Sequence, residues 1–177
     1  MTSTLPPLAG PLAAIDMGSN SFRLEIGQLQ HGRYRRIDYL KETVRLDAGL
    51  DGNGLLSDEA AERGFKCLRT FATRLAGFDA GQVRAVATQT LREARNRNAF
   101  LERAQATLGF PVEVISGREE ARLIYAGVAH LQPSSESRLV VDIGGRSTEM
   151  ILGSANVPRA AESFGVGCVS LSMRFFP

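Results

Sequence analysis

Leu139-Val140-Val141-Asp142-Ile143-Gly144-Gly145-Arg146-Ser147-Thr148-Glu149 decides how this chain is read. Three apolar residues run into an aspartate, then two glycines, then Ser-Thr-Glu. That pattern is a buried strand feeding a glycine-rich turn. Glycines let the backbone approach a ligand and turn its N–H groups towards an anion. An aspartate at a strand end suits a divalent cation, held directly or through water.

The start of the chain repeats the design. Leu12-Ala13-Ala14-Ile15-Asp16-Met17-Gly18-Ser19-Asn20-Ser21 is again a small-apolar strand, an aspartate, a glycine and short polar side chains. A single Asp-x-Gly has an ordinary explanation in turn chemistry. Two copies, each followed by an alternating strand, point to one module used twice.

Between and beyond the copies lie Ala87-Thr88-Gln89-Thr90-Leu91-Arg92-Glu93-Ala94-Arg95-Asn96, then Ile115-Ser116-Gly117-Arg118-Glu119-Glu120-Ala121-Arg122, then Gly165-Val166-Gly167-Cys168-Val169-Ser170. In order and spacing these stretches, with both Asp-x-Gly segments, resemble the exopolyphosphatase and guanosine pentaphosphate phosphohydrolase (Ppx/GppA) family of the actin-like superfamily. The Asp-x-Gly-Ser-Asn-Ser and Ser-Gly-x-Glu-Glu-Ala motifs separate that family from the kinases and chaperones of the superfamily.

Composition sets the frame. The chain has 177 residues, 44% of them apolar, with a net charge of +2. That suits a globular domain with one good core. No apolar run approaches a membrane span. Residues 1–10 contain Pro6 and Pro7 but no Lys or Arg, and read as a disordered arm, not a secretory signal. Cys67 and Cys168 stand in unrelated contexts, which fits reduced thiols and a cytoplasmic protein. Lys41 and Lys66 are the only lysines; the other bases are arginines, suited to phosphate or simply to a GC-rich genome. No aromatic-studded basic stripe or zinc spacing supports a nucleic-acid module.

In order, Leu12–Asp16 reads as a strand buried on both faces, Phe22–Gly27 as a half-exposed strand, and Tyr34–Leu40 as a third, with Val44–Leu46 as its extension. Ser57 caps a helix whose stripe is Leu68, Phe71, Ala72 and Leu75, with Cys67 beside it. Val83–Thr88 is a fourth strand. A helix runs from Asn98 to Leu108. Val112–Ile115 is a fifth strand, and a helix spans about Arg118–Leu131. The order is β-β-β-α-β-α-β-α, a mixed five-stranded α/β unit over residues 11–131. By resemblance this is a complete ribonuclease-H-like (actin-like) lobe. A polar linker covers 132–137. Residues 138–177 hold the opening β-meander of a second lobe and the first turns of a helix. One face of that meander lacks cover, so a fragment, or a homodimer that buries the incomplete lobe, is expected.

Of the two adjacent acids in Ser-Gly-x-Glu-Glu-Ala, Glu120 is the candidate general base. On a helix it lines up with Ile124 and Val128, whereas Glu119 can pair with Arg122. The family's catalytic glutamate also falls on Glu120. Asp16 and Asp142 end equivalent strands and face each other as candidate Mg²⁺ ligands. By resemblance Glu149 helps hold the metal or the attacking water; alone it is an ordinary strand residue. Resemblance also implies that Gly18, Ser19, Asn20, Ser21 and Arg23 cradle phosphate, with Gly144, Gly145, Ser147 and Thr148 as the second cradle. Arg23 reads equally as the polar face of a strand. Arg92 should reach the phosphate chain; Arg95 and Arg97 read as weaker candidates or a solvated helix start. His31 and His130 read as incidental.

One residue departs from the family, which usually has a third glycine where Arg146 stands. If that position needs positive φ, Arg146 costs about 1 kcal/mol or more. If not, it sets a charge beside the phosphates. The expected function is Mg²⁺-dependent hydrolysis of the terminal phosphate of polyphosphate or of guanosine pentaphosphate. The alternative is a non-catalytic phosphate-binding or assembly module.

Overall fold

A computed structural model describes residues 10–31 and 33–176 of the chain. Most of the arm expected over residues 1–10 therefore lies outside the described residues. Strands β1 (Leu12–Met17), β2 (Ser21–Gln30), β3 (Arg33–Thr43), β4 (Val83–Ala87) and β5 (Val112–Val114) form one sheet in the order β3-β2-β1-β4-β5. The first three strands pair antiparallel, and β4 and β5 run parallel to β1. Antiparallel neighbours need only tight turns, while parallel ones need crossovers, and the helices of this unit supply them.

Alternation along β2 turns Phe22, Leu24 and Ile26 into the core and Arg23 outward. Along β1 the buried residues are Ala13, Ile15 and Met17. The expectation that β1 is buried on both faces is not met: Ala14 is exposed and Asp16 half-buried. Helices α1 (Asp58–Arg74) and α3 (Arg97–Leu108) cover one face of the sheet. The other face borders a groove of about 810 Å³ that reaches Asp16 and Arg23 at one end.

Ser57 accepts a hydrogen bond from the Ala60 N–H and starts α1, and Cys67 joins the core. The Phe65 and Phe100 rings stack at 4.9 Å and join α1 to α3. Val44–Leu46 do not extend β3. The Val44 and Arg45 N–H groups donate instead to the Asn20 carbonyl, at 3.0 and 2.9 Å, and Arg45 turns to φ 51°. This segment props the first Asp-x-Gly loop from below. A short helix α2 (Gln89–Glu93) follows β4, where no helix was expected.

Helix α4 (Gly117–Leu131) follows β5 in the chain but packs on the second sheet. That sheet is the antiparallel meander β6 (Ser137–Ile143), β7 (Thr148–Ser154) and β8 (Val157–Phe164). The stripe of deepest burial on α4 is Ala121, Tyr125 and Ala129, one residue along from the expected Glu120–Ile124–Val128 line. Tyr125 sets this rotation. A Cβ on Gly153 would stand 2.3 Å from its ring, so only glycine admits it, and its hydroxyl donates to the Ala155 carbonyl at 3.2 Å. Opposite residues in an antiparallel pair share a face. Leu139, Val141, Ile143, Met150, Leu152 and Phe164 thus form the second sheet's other face, exposed among the described residues. Helix α5 (Cys168–Phe175) closes the described chain, as the sequence led us to expect.

This packing predicts that Gly153→Val overpacks the α4–β7 contact and lowers stability by about 1–3 kcal/mol. Tyr125→Phe should cost about 1 kcal/mol through one lost hydrogen bond. Urea unfolding reads both, and an unchanged midpoint for Gly153→Val would refute this account of the contact.

Candidate active site

The two Asp-x-Gly hairpins are geometric copies. Asp16 lies opposite Arg23 in the β1–β2 register, and Asp142 opposite Glu149 in the β6–β7 register. A Cβ on Gly18 would stand 3.0 Å from the Ser21 carbonyl oxygen, and one on Gly144 would stand 3.0 Å from that of Ser147. Each turn therefore folds back on itself most easily with glycine. The loops also meet: the nearest atoms to a Cβ built on Gly145 are those of Asn20 and Val169, then Ser19. Ser19, Ser21 and Ser147 are all buried there. The Thr148 hydroxyl donates to the Val166 carbonyl at 2.6 Å, so its proton serves the backbone.

The second loop rests on the start of α5. The Cys168 N–H donates to the Gly144 carbonyl, and the Val169 and Ser170 N–H groups donate to that of Gly145. A Cβ on Gly167 would lie 2.4 Å from the Gly145 carbonyl carbon and 2.5 Å from the Arg146 nitrogen. Gly-Val-Gly-Cys is thus the segment that lets the loop and helix touch.

Four acids gather at this junction. Glu120, at the start of α4, accepts a 2.7 Å hydrogen bond from Arg92 of α2, and the two side chains are only 16% and 17% exposed. Burial pushes Glu120 up to about 7; Arg92 pulls against that, and the charges of Glu149 and Asp16 add to it. Burial also raises Asp16. Arg23, 3.0 Å away, opposes that rise, and Asp142 reinforces it. Glu149 is 1% exposed and accepts a 2.8 Å hydrogen bond from Ser163 of β8. The start of α4 comes this close because residue 117 is glycine: a Cβ there would stand 2.5 Å from the Ser163 side chain.

Glu119 sits differently. It accepts two hydrogen bonds from Arg122, at 2.7 and 2.8 Å, and pairs with Arg84, which together hold it down at about 2. Neighbouring acids pushed in opposite directions have different work to do. Arg97 donates to the Arg92 carbonyl and so buttresses α2. The Arg95 N–H donates to the Gly54 carbonyl, away from the acids. His31 is in the β2–β3 turn, and His130 is at the far end of α4.

Arg146 carries none of the strain that a positive φ would impose. Its guanidinium reaches α2, 2.7 Å from the Glu93 carboxylate. Among the described residues no three His, Cys, Asp or Glu side chains close into a ready metal cage. Ser163, Gln89, Glu93 and Asp47 carry much of the junction, and the sequence reading did not single them out.

The raised carboxyl of Glu120 has a consequence for stability. Its folded value, about 7, exceeds the ordinary 4.5, so the folded state holds the proton more tightly. Stability should fall as pH rises from 4.5 to 7 and then level off. Glu120→Gln should remove that fall. Without added divalent cation its melting temperature should exceed that of the wild type above pH 7, and the gap should close towards pH 5. A gap independent of pH would contradict the burial of this acid.

An α/β fold with two Asp-x-Gly hairpins meeting at a cluster of acids defines an actin-like chain. The Ppx/GppA phosphatase family model matches residues 26–177, and the chain belongs to that family. It is 47% identical over 165 residues to a candidate exopolyphosphatase from Haemophilus influenzae, covering 93% of this chain and 51% of that one. The crystal structure of an exopolyphosphatase from Cytophaga hutchinsonii aligns with a TM-score of 0.87 at 32% identity, covering 94% of this chain and 54% of that one. The PPX-GPPA enzyme of Aquifex aeolicus aligns with a TM-score of 0.81 at 34% identity, covering 94% and 56%. The chain thus spans about half the length of these relatives. No helix among the described residues is long and apolar enough to cross a membrane.

Proposed function

We propose that this site hydrolyses a terminal phosphoanhydride, releasing orthophosphate from inorganic polyphosphate or from guanosine pentaphosphate. Family membership supports the reaction class. The observation that carries the reading is Glu120, a buried carboxyl raised to about 7 and held by Arg92 where the two loops meet. A base with that value is half ionised near neutral pH, where proton transfer is most effective.

The terminal phosphate lies between the loops, its oxygens facing the backbone N–H groups of residues 18–21 and 144–147. Glu120 accepts the proton of a water as that water attacks phosphorus in line, and the bond to the bridging oxygen breaks. Arg92 faces the charge on the transferred group, and Arg23, now on Asp16, is placed to turn to a phosphate oxygen. Glu149, fixed by Ser163, holds the water beside Glu120.

The donor set fits Mg²⁺. Asp16 and Asp142 offer only carboxylate oxygens, and Mg²⁺ takes one or two of these and completes its shell with water and phosphate. Bound there, Mg²⁺ would neutralise phosphate charge.

The test is phosphate release with both substrates and Mg²⁺. Glu120→Gln should lower kcat by about 10²–10⁴-fold. The wild-type rate should fall about tenfold per pH unit below a limb near 7. A folded chain that binds polyphosphate but releases no phosphate would support the binding-module reading instead.

A further inference from the structure

Arg146 ties the second loop to the first unit through an unbroken set of hydrogen bonds. Its Nη2 donates to Glu93 Oε2 at 2.7 Å. Glu93 Oε1 accepts from the Gln89 side-chain amide. Gln89 Oε1 accepts from Arg92 Nε and Nη2, at 3.0 and 2.6 Å. Arg92 Nη1 then donates to Glu120 Oε2 at 2.7 Å. Glu93 thereby fixes which end of the Gln89 amide faces Arg92.

On its other side Arg146 faces Asp47. The Arg146 Nε and the Asp47 Oδ2 are both buried without a hydrogen-bond partner among the described residues. The charge of Arg146 opposes the rise that burial imposes on Asp47. Asp47 in turn is bound to the first loop, its N–H donating to the Ser19 carbonyl at 3.1 Å. Arg146 therefore stands between acids of two different segments, with its Nε sealed from solvent. The Arg146–Glu93 pair is partly exposed, so its own strength is modest; what it does is join residues 53 apart in sequence at the seam of the two loops.

We propose that Arg146 is a positioning residue: it fastens the second glycine loop to α2 and, through Glu93 and Gln89, sets Arg92 against the base Glu120. The Arg146 side chain bonds Glu93 and not the base, so it acts on Glu120 only through Glu93, Gln89 and Arg92. Its effect on rate rests on the hydrolase reading above; the tie itself does not. Without Arg146, Glu93 is an unneutralised acid next to Arg92 and competes for it, and Gln89 loses its fixed orientation. Misplacement of a reacting group by about 1 Å costs on the order of 100-fold in rate.

The experiment uses the full chain as wild type, Arg146→Gly, Arg146→Lys, Glu93→Gln and the Arg146→Gly/Glu93→Gln double variant. Phosphate release from polyphosphate gives kcat and KM, and thermal unfolding is recorded for each. We expect Arg146→Gly to lower kcat by about 10- to 100-fold with little change in KM, Arg146→Lys to recover part of it, and the double variant to be no worse than the worse single. An unchanged kcat, a loss confined to KM, or multiplying losses would overturn the proposal. If the wild type releases no phosphate, the hydrolase reading falls instead, and the unfolding curves decide the tie: non-additive destabilisation of the two single variants supports it, and additive destabilisation overturns it.

Discussion

Four carboxylates share one junction, and holding them there is the constraint the rest of the structure answers. Burial raises Asp16 and Glu120; the charge of Asp142 adds to the first rise, and those of Glu149 and Asp16 add to the second. Such acids repel one another unless backbone and arginines fix them in place. The answers are specific. Arg23 and Arg92 each hold one acid, Ser163 donates to Glu149, and the glycines at 117 and 167 let segments touch where a Cβ would part or crowd them. The price is a site that is less stable at neutral pH than its surroundings would allow.

The same hairpin serves twice with different partners. In the first copy the residue across from the aspartate is Arg23, so Asp16 is neutralised. In the second it is Glu149, so Asp142 faces a second acid. One module thus yields an asymmetric site, with a cation on one wall and acids on the other. Helix α4 joins the walls. It follows the first sheet in the chain, packs on the second, and presents Glu120 from its first turn where the two meet. The Ser116 hydroxyl, which accepts the Glu119 N–H as the cap of α4, and the Tyr125–Gly153 contact set its start and its rotation, and so aim the acid.

Much of this was legible in the sequence because it is periodic or repeated. The alternation of Phe22, Leu24 and Ile26 gives β2, and the recurring Asp-x-Gly gives the two loops. Glu119 and Arg122, three residues apart, give the salt bridge that distinguishes Glu119 from its neighbour. Other features left no local trace. Helix α2 is five residues long, and its N-cap Thr88 makes no side-chain cap bond, so neither periodicity nor capping announces it. Ser163 and Glu149 are 14 residues apart, Arg92 and Glu120 are 28 apart, and Arg146 and Glu93 are 53 apart. Only the fold brings them together. Likewise β1 reads as buried on both faces because its residues are small and apolar, while helices cover just one side.

The central claim is that both loops grip one phosphate group. Backbone amide shifts of the ¹⁵N-labelled chain, titrated with Mg²⁺ and a non-hydrolysable imidodiphosphate, test it most directly. The account predicts that amides in 18–21 and 144–147 move together along one saturable curve. Shifts confined to one loop, or two curves with different midpoints, would contradict it.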